Sequence, residues 1–209
     1  MQADIVVEIL NYVGIVAFAL SGALKAGEKD MDIFGFAVLG FSTALAGGII
    51  RDVLLGRVPP VNIAYLPYPL TALLTSIVAF YLYPYVKRFK DLVLYPDAVG
   101  LGAFAAIGAD IAASYCQNME NCWLTVMMIS SLTAAGGGVV RDILSNEVPV
   151  ILRREIYATA AALGGLVYIL SLPLGRGVAM LVTIVVVTSL RLVSLVKGWE
   201  LPRLKKHQV

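Results

Sequence analysis

The stretch AGGIIRDVLLGRVPP at residues 46–60 returns as GGGVVRDILSNEVPV at residues 136–150. Glycines, two β-branched residues, an Arg-Asp pair and a Val-Pro step recur at the same offsets. Chance agreement between apolar stretches is built from Leu, Val and Ala, not from Arg-Asp and Pro. A chain of this kind is constrained to a fold with two related halves. Each copy falls inside or at the end of a long apolar run, so helix-weakening glycines and charges enter apolar surroundings twice. In a membrane protein that arrangement points to a path for something polar.

The apolar runs decide the class. Of 209 residues, 59% are hydrophobic and 14% charged, against about 25% charged in a soluble domain. We read seven membrane helices, at roughly 5–24, 33–53, 66–86, 97–116, 123–143, 155–172 and 175–196. Each is close to the ~20 residues that cross a ~30 Å hydrocarbon core. Strands of a membrane barrel would be about half as long and would alternate in polarity. The opening residues Met1-Gln2-Ala3-Asp4 lack the positive charge of a signal peptide, so the first span is expected to be a permanent helix.

Orientation follows from the short loops. With the amino terminus outside, the inner segments hold Lys25 and Lys29, then Lys87, Arg88 and Lys90, then Arg153 and Arg154, then Lys197, Arg203, Lys205 and Lys206. The outer loops hold only Arg57 and Arg176. The expectation is a multi-pass cell-membrane protein with a cytoplasmic carboxyl terminus. The basic tail, residues 197–209, contains the single histidine, His207, and with Trp199 is expected to fix the last helix at the interface or touch acidic lipid.

The duplication reaches beyond the motif. Val13-Gly14, Phe18 and Gly22-Ala23 match Val99-Gly100, Phe104 and Gly108-Ala109 at an offset of 86, which becomes 90 at the glycines. Each copy holds three spans, so the second enters the membrane upside down relative to the first. The expected architecture is all-α, a single transmembrane domain over residues 1–209. It has inverted three-helix repeats at about 5–86 and 97–172 and a seventh helix at about 175–196. Inverted repeats put their working site near the midplane, between the halves.

The motif has competing physical readings. Gly47-Gly48 and Gly136-Gly137-Gly138 weaken their helices by roughly 1 kcal/mol per residue relative to alanine. A kink there turns carbonyls toward a wet cavity or an ion; the alternative is that the glycines permit tight helix crossing. Arg51-Asp52 and Arg141-Asp142 follow within a turn. Arg51 shares a face with Gly47, as Arg141 does with Gly137. Either the four charges belong to a polar interior, or each Arg snorkels to the headgroups with its Asp as neutraliser. Ser42, Thr43 and Thr133, a turn before the glycines, line a pore or bond back to their own helices. Asp110, inside span four, is a cation contact, a partner for an Arg or a surface residue. Cys116 and Cys122 flank a loop placed outside, where a disulfide or two free thiols can be accommodated.

Seven spans as two inverted triplets plus one, with GGGVVRD and AGGIIRD, resemble the trimeric intracellular cation (TRIC) channels, and more closely their bacterial and archaeal homologues. Such sequences also carry the label glycine-transporter-domain proteins. The resemblance covers essentially the whole chain. It implies a homotrimer with one pore in each protomer, running between the inverted halves and conducting potassium and, less selectively, sodium. It puts kinks at Gly47-Gly48 and at Gly136 to Gly138, and matches Arg51 and Arg141 to the family's basic positions after the kinks. Animal members bind an acidic lipid through basic residues near the pore, so lipid contact is a further expectation. The first motif is one glycine shorter than the second.

The functional expectation is a monovalent cation channel in which carbonyls, hydroxyls and Asp110 replace part of an ion's hydration shell. Its arginines are paired or act as a voltage-sensitive gate. The second reading is a carrier for a small zwitterion such as glycine, with an arginine and helix amino-terminal amides holding the carboxylate. A structural subunit without transport is the least favoured. No Ser-His-Asp set, phosphate loop or metal-ligand cluster is legible, so neither an enzyme, a metal site, a resident cofactor nor nucleic-acid binding is expected.

Overall fold

Apolar side chains all around a segment leave the backbone no partner but itself, and helix is the result. The computed structural model describes residues 2–89, 92–117, 119–153 and 156–199. Lys90, Arg154, Arg203, Lys205, Lys206 and His207, and the side chain of Arg153, lie outside what is described. The described residues form nine α-helices: α1 (Gln2–Glu28), α2 (Ile33–Leu54), α3 (Val61–Ala64), α4 (Pro67–Val86), α5 (Leu94–Tyr115), α6 (Cys122–Leu144), α7 (Val150–Arg153), α8 (Ala158–Ser171) and α9 (Arg176–Lys197). Local chemistry sets several ends. Asp32 caps α2 by accepting from the Gly35 amide at 2.8 Å. Gly198, left-handed at φ 62°, closes α9.

Six of these helices are long and apolar enough to cross a membrane: α1, α2, α4, α5, α6 and α9. Their limits follow the expected spans closely. The sixth expected span, 155–172, is shorter than anticipated. Its α-helix runs only from Ala158 to Ser171 and gives way to a 3₁₀ turn at Leu172–Leu174 that contains Pro173. Fourteen residues of helix reach about 21 Å, less than the hydrocarbon thickness.

The most enclosed element is α5. Gly100, Gly102, Ala103, Ala105, Ala106, Gly108, Ala109 and Ala112 leave it almost without side-chain bulk, so α1, α6, α8 and α9 all pack against it. Phe18 of α1 sits over Gly100, and Phe104 of α5 sits over Gly14, an exchange of one ring for one glycine in each direction. The two rings meet at 5.2 Å near the centre of the bundle. By contrast, α4 lies on the outside against α1 and α2, exposing Leu74, Val78, Tyr81 and Leu82.

Candidate functional site: two arginine networks about a glycine crossing

Helices α2 and α6 cross at their glycines. A Cβ on Gly47 would collide with the carbonyl oxygen of Thr133, and one on Gly137 with the carbonyl oxygen of Thr43. Gly136 faces the Gly47 backbone, with its added Cβ only 3.1 Å from the Gly47 Cα. The pairing of 47 with 133 and of 43 with 137 makes the crossing antiparallel. Both helices continue through the glycines without interruption. These residues make room for a neighbouring backbone, the tight crossing that stood as the alternative to a kink. Gly48 admits the Asn62 side chain, and Gly138 admits the Tyr157 hydroxyl.

Thr43 and Thr133 return their hydroxyls to the carbonyls of Leu39 and Ile129, each at 2.6 Å. Those buried hydroxyls are thus spent on their own helices. Ser42 is half-buried on α2.

Because the crossing is antiparallel, Arg51 and Arg141 lie on opposite sides of it. Neither snorkels: Arg51 is 2% exposed and Arg141 1%, and Asp52 and Asp142 are as deeply buried. Each Asp serves two masters. Asp52 accepts from Arg51 Nε with Oδ1 at 2.9 Å and from the Val61 amide with Oδ2 at 2.9 Å. Asp142 repeats this with Arg141 Nε at 2.9 Å and the Val150 amide at 2.7 Å. The repeated Val-Pro step thus delivers the first amide of a short helix, α3 or α7, to the aspartate of its own motif.

Beyond that shared core the two sites differ. Arg141 donates through Nη1 to Ser21 Oγ at 2.6 Å and to Asp97 Oδ1. Tyr157 donates to the same Asp97 oxygen at 3.2 Å. Arg191 lies 4.8 Å over the Tyr157 ring. All are buried, so this end encloses two arginines and two carboxylates, although the second Asp97 oxygen, Oδ2, has no hydrogen-bond partner among the described residues. Arg51 has Asp52, which also lies 3.4 Å from Arg57 Nη1, but its own Nη1 is buried with no hydrogen-bond partner among the described residues.

Arg51 lines a cavity of about 390 Å³ shared with Asn11, Arg57, Tyr68, Asp110 and Arg176. Asp110 there is the partner of an arginine: Arg176, the first residue of α9, grips it through Nε and Nη2 at 2.5 and 2.7 Å. Tyr168 adds a hydroxyl bond at 2.8 Å. Asp110 and Arg176 also border a second cavity of about 450 Å³, lined by Trp123, Tyr168 and Cys122. Cys122 is joined to Cys116 by a disulfide.

At the Arg141 end, Glu147 in the loop after α6 binds Lys25 at 2.9 Å and Lys29 at 2.8 Å. Burial alone would raise its pKa, but the hydrogen bonds from Lys29 and Lys25 outweigh it and bring the carboxyl down to about 2.

Sequence reasoning located the Arg-Asp pairs and the glycines but passed over Asp97, Ser21, Tyr157, Arg191, Asn11 and Tyr168. A signal existed for one of them. At the offset of 86, Asp97 is the counterpart of Asn11, a polar residue at the same place in both halves.

The glycine-transporter family pattern matches residues 8–84 and 94–173. The UPF0126 membrane protein YvgT of Bacillus subtilis is 39% identical over 199 residues, 93% of this chain and 95% of its own length. The UPF0126 inner membrane protein YadS of Escherichia coli K12 is 38% identical, with 92% and 93% covered. Among solved structures, a chain from work on conductance through TRIC cation channels superposes with a TM-score of 0.86 at 49% identity, covering 97% of this chain and 98% of that one. A prokaryotic TRIC channel crystallised in 0.5 M KCl gives 0.87 at 41% identity, with 94% and 99% covered.

Proposed function

Because this chain belongs to the glycine-transporter family, the family of the prokaryotic TRIC channels, we propose that it conducts monovalent cations. Potassium passes best and sodium less selectively, through one pore in each protomer of a homotrimer. The pore runs between two inverted halves, residues 5–86 and 97–172, with α9 as the appended seventh span. The amino terminus is outside and the carboxyl terminus cytoplasmic.

The observation that carries this reading is a pair of buried charged groups on opposite sides of the α2–α6 crossing. One is Arg51 with Asp52 beside the cavity, and the other is Arg141 with Asp97 and Asp142. Buried charges of this number are expensive in a membrane protein and mark ion pathways. In this reading the tight α2–α6 crossing is the closed gate. Conduction requires α2 and α6 to part or bend at Gly47 and Gly137, the positions with least helix strength. Arg141, matched by Asp97 and Asp142, presents little net repulsion to a cation. Arg51 is the better gating charge, because moving one charge through 100 mV is worth about 2.3 kcal/mol.

The test is planar-bilayer recording of reconstituted protein under a potassium gradient. Discrete steps reversing near the potassium potential are expected, with voltage dependence reduced in Arg51→Gln. The second reading, a carrier for a small zwitterion, is favoured by the unpartnered Arg51 nitrogen beside a cavity. A silent bilayer together with counterflow of labelled glycine in the same liposomes would establish it instead.

A further inference from the structure

The chain contains its own template for what belongs beside Arg51. In the second half, Arg141 Nη1 is taken by the Asp97 carboxylate and the Ser21 hydroxyl. The equivalent positions in the first half are Asn11 and Ile107, 86 residues before Asp97 and after Ser21. Neither replaces what is lost. Asn11 commits its amide nitrogen to the Val7 carbonyl at 3.0 Å, and Ile107 is a buried hydrocarbon. Arg51 Nη1 is left without a partner among the described residues while Arg51 is 2% exposed. Where the second half holds a carboxylate, the first half has a cavity of about 390 Å³.

The donors point the same way. The guanidinium groups of Arg51, Arg57 and Arg176 stand against the carboxylates of Asp52 and Asp110. Glu8, which lines the adjoining cavity with Tyr68 and Arg176, brings the carboxylates to three, so what the guanidinium groups offer is donors rather than a surplus of charge. A buried guanidinium is best satisfied by the planar oxygens of a carboxylate. Tyr68, from the start of α4, lines this cavity much as Tyr157, just before α8, reaches Asp97.

We propose that the cavity beside Arg51 is a binding site for a small, water-soluble monocarboxylate. The ligand takes the place that Asp97 fills beside Arg141. Binding needs no transport or conduction. A consequence that does rest on the channel reading is that an occupied site adds a negative charge at this mouth and eases cation entry.

The experiment uses full-length protein in neutral detergent, without anionic lipid. The linewidth of ¹³C-acetate is followed at constant sodium and ionic strength, with chloride as the replaced anion. Saturable broadening is expected, together with a rise in melting temperature that acetate gives and chloride does not. Asn11→Asp supplies the missing carboxylate from the protein itself and is expected to cut the broadening at least tenfold while melting higher without acetate. Val7→Phe, which narrows the same cavity without altering charge, is expected to weaken binding and guards against a folding defect in the first variant. Broadening that does not saturate, that chloride matches, or that persists in both folded variants overturns the proposal. Bilayer recording with and without acetate is scored separately, so a silent bilayer with intact binding rejects the channel and keeps the site.

Discussion

Arg51 and Arg141 begin from the same sequence, the same helix position and the same aspartate grip, and end in opposite conditions. Arg141 is enclosed by Asp97, Asp142, Ser21 and Tyr157. Arg51 keeps one nitrogen unanswered beside a cavity. The difference lies outside the motif, in Asn11 for Asp97 and Ile107 for Ser21. A motif therefore fixes only the local half of a buried charge's surroundings. Whether the charge becomes a rivet or a working group is decided by residues on other helices.

The sharpest way to break this comparison is to remove the carboxylate that seals Arg141. Asp97→Ala leaves a buried guanidinium short of a partner and is expected to cost about 3–5 kcal/mol. Asn11→Ala gives up one side-chain bond to its own helix and is expected to cost about 1 kcal/mol. Reversible unfolding in mixed micelles measures both, and equal losses would show the two ends to be energetically alike after all.

The crossing itself should not distinguish the halves. Gly47→Ala and Gly137→Ala each drive a methyl group into a backbone carbonyl of the partner helix. Each is expected to cost about 1–3 kcal/mol by overpacking, read in the same micelle assay. A large loss in one and none in the other would mean that the close approach is not shared.

The smallest effect is a pH dependence confined to the Arg141 end. Glu147, with its carboxyl lowered from 4.5 to about 2 by Lys29 and Lys25 despite partial burial, stabilises the folded state fully above the ordinary value. That contribution fades as the pH falls from 4.5 toward 2. For a partly exposed pair it is expected to stay below about 1 kcal/mol. Melting temperatures of the native protein and Glu147→Gln should converge across that window; parallel curves would remove Glu147 from the account.

Much of the fold was legible because apolar length and short loops leave few alternatives. The spans and the two related motifs follow from local chemistry, whereas whether the Arg-Asp charges turn inward or snorkel to the headgroups does not. The helix shortened at α8 was not foreseen, since Pro173 sits within an otherwise apolar run. The glycines were legible as special but not in their use, because a bend and a close approach both ask for a missing Cβ. Only the Thr133 and Thr43 carbonyls lying against Gly47 and Gly137 decide between them. Asp97 falls at the first residue of the expected span 97–116. Its meaning depends on Arg141, 44 residues later, and on Ser21 from the first helix, and no window along the sequence contains all three.

The order in which a ribosome delivers these groups separates the two ends once more. Asp52 can take up Arg51 and the Val61 amide as soon as residue 61 emerges, from a single short stretch of nascent chain. Asp97 reaches the membrane well before Arg141 exists, and Ser21 waits 120 residues for the same partner. The network about Arg141 is therefore assembled late, and completing the second half also locks the first helix in place.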